Sequence, residues 1–185
     1  MTKKLIREII FKARKKAFDN ASTNAGMQSL IDVVSNLESK QVIAGYMPIR
    51  TEISPLAAMS KLSNTGKSIC VPVVQSAGEP LLFKEWTPNS NMLVGPFGAE
   101  IPEYGEFLEP EVLIVPLVAF DRKGARVGYG GGFYDRSLEE LRKKRPTIAI
   151  GFAYAAQEFV DIPTELTDQS LDIVITESEI LYINK

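Results

Sequence analysis

Residues 112–144 read VLIVPLVAFDRKGARVGYGGGFYDRSLEELRKK. The first nine, Val112 to Phe120, are almost uninterruptedly apolar, as suits a strand buried on both faces. The last eleven, Tyr134 to Lys144, predict a helix. Between them lies Asp121 to Asp135, into which Gly128, Gly130, Gly131 and Gly132 are crowded. Glycine permits positive φ and lets backbone approach a ligand closely. Successive N–H groups in such a turn form an anion nest, and the helix start adds partial positive charge. The combination suits a polyphosphate, although a flexible strand-to-helix connection explains the glycines equally well. The G-x-x-x-x-G-K-[ST] loop is absent, and G-x-G-x-x-G fails at Phe133.

Outward from this unit, further buried strands are predicted over Thr147–Tyr154 and Leu171–Thr176, with a short one over Ile180–Ile183. Upstream, Leu5–Asn20 is helical in pattern, with Ile6, Ile10, Ala13 and Ala17 at helical spacing. Met27–Glu38 is a second amphipathic helix and Gln41–Pro48 a buried strand. A third helix starts at Ser54 and Pro55 and ends near Asn64 and Gly66. Ser68–Val74 and Leu81–Trp86 read as strands, and Asn89–Glu111 as irregular. Strands alternating with helices predict an α/β fold. It has three layers, a mostly parallel central sheet flanked by helices, in one domain over residues 1–185. Ligands in such folds bind beyond the carboxyl ends of the strands, which singles out the loops after Tyr46 and Phe120.

The bulk chemistry narrows the function. The formal charge is −2, which argues against a general nucleic-acid binder, although seven basic residues fall between Lys3 and Lys16. No apolar run approaches a membrane span and no secretory leader is evident. With Cys70 as the one cysteine, no intramolecular disulfide is possible. The expectation is a cytoplasmic protein that engages neither membrane nor nucleic acid. There is no histidine, which removes imidazole catalysis and His-ligated zinc sites. Chemistry must rest on carboxylates, Lys, Arg, hydroxyls, backbone amides or a bound cation.

The residues flanking the glycines sharpen the reading. Arg126 could pair with phosphate as a charged fork. Asp135 could cap the helix or hold Mg²⁺. Asp121 and Gly124 fit positions i and i+3 of a type I turn, a structural role.

The segment PLVAFDRKGARVGYGGGFYDRSL, and within it Phe120 through Asp135, resembles the signature of the 5-formyltetrahydrofolate cyclo-ligase family. Lys3 and Arg7 match its opening K-x-x-x-R. Met47, Glu52 and Ile53 match the stretch after its first strand. Phe97–Pro102 resembles its aromatic turn, with departures at Ala99 and Ile101. Gly131 stands where some members carry Lys. The architecture implied is like that of the NagB, RpiA and CoA-transferase proteins.

The resemblance implies an ATP- and Mg²⁺-dependent ligase that cyclises 5-formyltetrahydrofolate, polyglutamated or not, to 5,10-methenyltetrahydrofolate by phosphorylating the formyl oxygen. It places Arg126 and Tyr129 at the reacting centre. Lys3, Lys4, Leu5, Ile6, Arg7 and the run Arg126, Val127, Gly128, Tyr129, Gly130, Gly131, Gly132, Phe133 and Tyr134 fall at the ATP. Met47, Glu52, Phe97 and Tyr129 fall at the folate, and Asp135 and Asp172 at the metal. A monomer or weak homodimer is the expected state. Taken by themselves, Lys3 and Arg7 read as a solvated helix face and Glu52 as a capping acid. A non-catalytic binder, or an isomerase or acyl-CoA transferase on a similar scaffold, is the rival class.

Overall fold

The computed structural model describes residues 1–22, 24–37 and 41–183, apart from the side chain of Phe97. In chain order the elements are α1 (Lys3–Asn20), α2 (Met27–Ser35), β1 (Val42–Ala44), α3 (Leu56–Asn64), β2 (Ser68–Val73), β3 (Leu82–Glu85), β4 (Met92–Val94), β5 (Glu100–Pro102), β6 (Val112–Pro116), β7 (Ala119–Phe120), β8 (Arg126–Val127), α4 (Phe133–Lys144), β9 (Ile148–Phe152), β10 (Ile173–Ile175) and β11 (Ile180–Tyr182). The main sheet has seven strands in the order β11-β10-β9-β6-β1-β2-β3. Its five central strands are parallel, and β3 and β11 close the edges antiparallel.

The layers follow from the period-2 alternation of strand side chains. Ile43, Ile69, Val112, Ile114, Ile150 and Ile173 face α2 and α3, where they pack on Leu30, Val34, Met59 and Leu62. Their neighbours Ala44, Cys70, Leu113, Val115, Ala149 and Val174 face the other way and pack on Leu138 and Leu141 of α4. Both sheet faces are thus covered, which is why the parallel strands read as apolar throughout. A third, smaller core joins Ile6 and Ile10 of α1 to Val118, Ala119, Val127 and Ile162. It seats the first helix over the connection that leaves β6.

That connection departs from the sequence expectation. The apolar run Val112–Phe120 is not one strand, because β6 stops at Pro116. The carbonyls of Leu117 and Val118 then accept from the Gln157 side chain at 2.8 and 3.0 Å instead of from a neighbouring strand. The chain next forms the β7–β8 hairpin, with Ala119 opposite Val127 and Phe120 opposite Arg126. Asp121 makes its turn. Its backbone carbonyl accepts from Gly124, and its buried carboxylate accepts from Lys123, Ala125 and Ile162 N–H groups. The structural role read for Asp121 and Gly124 holds, with Gly124 at φ +86°.

Residues 89–111 also carry more order than their composition suggests. A hairpin of β4 and β5 closes around a 3-10 turn at Pro96–Gly98. Helix α2 ends at Ser35, and the last residue assigned to it from sequence, Glu38, lies outside the described residues. No helix among the described residues is long and apolar enough to cross a membrane.

Candidate functional site

The glycine run sits where β8 turns into α4. Gly130 and Gly132 take φ of +108° and +66°, a region in which an L side chain is strained. Gly132 is the residue from which α4 starts, and no side chain caps that end. The positive end of the helix dipole therefore faces the loop. Arg7 reaches over from α1, its Nε donating to the Gly128 carbonyl at 2.7 Å, with its guanidinium above Gly130. Lys3, one helical turn earlier, binds both carboxylate oxygens of Asp168 at 2.9 and 2.6 Å and also pairs with Glu165. Burial would lower the Lys3 pKa, but the hydrogen bonds from these carboxylates overcome it and raise the value.

Arg126 lies beneath the loop with its side chain 6% exposed. It donates to Asp135 Oδ1 at 2.6 Å and to the Gln169 carbonyl. Burial pulls its pKa down while the Asp135 charge opposes that. Asp135 Oδ1 also accepts the Gln169 N–H at 2.9 Å, whereas its Oδ2 has no hydrogen-bond partner among the described residues. Asp168 precedes Gln169, so its carboxylate flanks the same corner and its charge reaches Arg126. Asp172 is held by Arg142 and the Ala149 N–H, both at 2.8 Å, and the same Arg142 donates to the Gln169 side chain at 3.1 Å. Arg142 is seven residues beyond Asp135 on α4, about 10 Å along the helix. Among the described residues no three metal-ligating side chains cluster.

The second part of the site follows β1. Glu52 is buried and accepts the Ile49 N–H at 2.8 Å. Burial raises its pKa, and the Ile49 N–H, the Tyr129 hydroxyl and the charges of Arg14 and Arg50 counter that rise. Arg50 holds φ +55°, an uncommon backbone that presents its guanidinium 5.5 Å from the Tyr129 ring centre. Met47 is half-buried against the α2–α3 core. Tyr129 belongs to the glycine run, yet its hydroxyl interacts with Glu52, so one residue joins the two loops. Burial first, and then the Glu52 charge, push its phenol up to about 12. The Tyr134 hydroxyl is buried with no hydrogen-bond partner among the described residues. Burial and the Glu52 charge push its pKa well up, so it stays protonated.

Lys3, Arg7, Arg126, Gly128, Tyr129, Gly130, Gly131, Gly132, Tyr134 and Asp135 thus form one neighbourhood. Other singled-out residues do not present side chains to it. Lys4 and Leu5 point to solvent, while Ile6 and Val127 pack in the small core. Phe133 packs on the α4 side of the sheet, and the side chain of Phe97 is outside the described residues. Two participants escaped the sequence reading. Asp168 sat in an unremarkable loop, and its signal, a carboxylate four residues before Asp172, was ambiguous. Arg14 was one of seven basic residues on a helix whose polar side looked solvated, and its burial is a tertiary fact.

Comparison with known proteins places the chain in a family. The family model for the 5-formyltetrahydrofolate cyclo-ligase family matches residues 1–177. The chain is 35% identical over 155 residues to a 5-formyltetrahydrofolate cyclo-ligase of Haemophilus influenzae, covering 80% of this chain and 82% of that protein. It is 32% identical over 145 residues to the Escherichia coli K12 enzyme of the same name, covering 75% and 79%. The NMR structure of Aquifex aeolicus 5,10-methenyltetrahydrofolate synthetase superposes with a TM-score of 0.76 at 25% identity, over 100% of this chain and 94% of that one. On the family model, the curated relatives and the shared architecture together, this chain belongs to the 5-formyltetrahydrofolate cyclo-ligase family.

Proposed function

We propose that the protein is an ATP-dependent 5-formyltetrahydrofolate cyclo-ligase, with nucleotide phosphates at the glycine loop and the pterin at Glu52. The observation that carries this is the junction at Tyr129. A cationic, glycine-lined mouth and a buried carboxylate are brought to one place by a residue that belongs to the first and touches the second. Glu52 offers the acceptor edge that a pterin's amino and ring N–H groups need. The unpaired Tyr134 hydroxyl is a donor left for a ligand, since buried polar groups are otherwise satisfied.

In the proposed reaction the formyl oxygen attacks the γ-phosphorus of ATP and ADP leaves. N10 then adds to the activated carbon and loses its proton, and inorganic phosphate departs to leave the methenyl bridge. Such transfer depends on positioning and charge neutralisation, so the lack of histidine is no obstacle. Arg7, Lys3 and the loop amides supply these groups. Arg126 acts from beneath by holding Asp135.

Magnesium commonly takes one or two carboxylates beside substrate phosphates. Asp135, with one oxygen open and its side chain 28% exposed, fits that role. Asp168, which adjoins the Gln169 that binds Asp135, is a second carboxylate of this corner and would exchange Lys3 for the ion, as Asp172 would exchange Arg142. When bound, the ion would neutralise phosphate charge.

The test is to mix protein, 5-formyltetrahydrofolate, Mg²⁺ and ATP and follow the absorbance of the methenyl product. Product that requires ATP and is lost in Asp135→Ala is expected. No product from folded protein that binds ATP would rule the reading out in favour of a non-catalytic binder.

A further inference from the structure

We propose that Arg14 is a positioning residue that ties the glycine loop to the Glu52 loop and supplies the buried positive charge facing Glu52. Arg14 lies in the middle of α1, yet it is 1% exposed. Its guanidinium is shared among three distant segments. Nε donates to Thr51 Oγ1 at 3.0 Å, Nη2 to the Tyr129 hydroxyl at 2.8 Å, and Nη1 to the Leu117 carbonyl at 3.5 Å. Thr51 adjoins Glu52, Tyr129 lies in the glycine loop, and Leu117 directly follows the central strand β6.

All three acceptors are neutral. Arg14 forms no ion pair among the described residues. A buried cation without a counter-ion is costly. Something besides tethering α1 must justify it. Two aromatic faces contribute, with the Phe11 and Tyr129 ring centres at 5.2 and 5.5 Å. The remaining compensation is Glu52, whose carboxylate feels the Arg14 charge across Tyr129. The groups facing Glu52 are Arg14, Arg50, Tyr129, Tyr46 and Tyr134, and Arg14 is the buried cation among them. A lysine cannot replace the geometry, because one ammonium does not span three acceptors as the planar fork does.

The consequence for function rests on the cyclo-ligase reading. Loss of Arg14 should weaken folate recognition at Glu52 and slacken Tyr129, while nucleotide binding through Lys3, Arg7 and the loop amides is spared. The test uses full-length wild type, Arg14→Met, Arg14→Lys and Thr51→Val. The Glu52 carboxyl is titrated by ¹³C NMR in glutamate-labelled protein and assigned with Glu52→Gln. The Glu52 midpoint is expected to rise by about half a pH unit or more in Arg14→Met and to stay near wild type in Arg14→Lys. The KM for 5-formyltetrahydrofolate is expected to rise about tenfold in Arg14→Met, with the KM for ATP changed by less than about twofold.

A merely structural arginine would move the Tm and leave the Glu52 midpoint where it is. An unmoved midpoint in Arg14→Met therefore overturns the proposal, as does an equal shift in Arg14→Lys. Thr51→Val cuts the tether at a half-exposed residue without removing the charge. It is expected to raise the folate KM without moving the midpoint, and unchanged kinetics there refute the tethering, even if Arg14→Met fails to fold. The titration needs no turnover. Absence of turnover in the wild type would sink the cyclo-ligase reading while the titration still decides the role of Arg14.

Discussion

Glu52 shows how burying a single carboxyl group couples folding stability to pH. Its carboxyl is buried, and burial raises its pKa from the ordinary 4.5. Below that ordinary value the group is protonated in folded and unfolded chains alike and costs nothing. As pH rises through the raised folded value, the buried group must ionise and folding stability falls. Glu52→Gln keeps an acceptor for the Ile49 N–H and removes the charge. Its Tm is expected to exceed that of wild type at pH 7, with the difference closing towards pH 4, while the folate KM rises. Thermal unfolding at the two pH values checks this, and a Tm below wild type at pH 7 would contradict it. Glu52 was singled out in the sequence by the resemblance of Met47, Glu52 and Ile53 to the family's stretch after its first strand. That it is buried against Tyr129 and not exposed as a capping acid was not legible there, because burial depends on which loops fold over it.

At the scale of elements, the glycine run was legible because chain conformation at Gly130 and Gly132 is a local property of residues without Cβ. The run also separates backbone strain from ligand access. Gly132 has φ +66°, and an added Cβ would come within 2.7 Å of the flexible Arg136 side chain. Gly132→Ala is therefore expected to cost about 1–2 kcal/mol, the left-handed penalty for an L residue. Gly128 has ordinary φ and an added Cβ there meets nothing within 4 Å. Gly128→Ala is expected to fold with unchanged Tm and to bind nucleotide more weakly, because the methyl group projects into space open to a ligand. Denaturant melts together with a nucleotide titration distinguish the two, and equal stability losses would refute the distinction. The strand that carries the loop was misjudged in length. Nine apolar residues in a row look alike in sequence, but Pro116 ends the sheet pairing and Gln157 takes over the next two carbonyls.

Over the whole molecule, three segments far apart in the chain make the site: the face of α1, the loop after β1, and the β8-to-α4 turn with Asp168 beside it. Ligands that bridge such segments stabilise the fold by mass action. ATP with Mg²⁺ at about a hundredfold above Kd is expected to add about 2.7 kcal/mol, or roughly 5–10 °C in Tm for a domain of this size. Asp168→Asn is expected to lose the Mg²⁺-dependent part of that shift, and an identical shift in wild type with and without Mg²⁺ would remove the metal from the reading. The sequence by itself determined the α/β class, the glycine turn and the family, since periodicity, backbone freedom and motif spacing are properties of neighbouring residues. Only the tertiary structure decided that Asp135 is paired with Arg126, that Asp168 flanks the same corner, and that Arg14 is buried. Burial and charge partners are set by where distant segments meet, and no local pattern encodes that meeting.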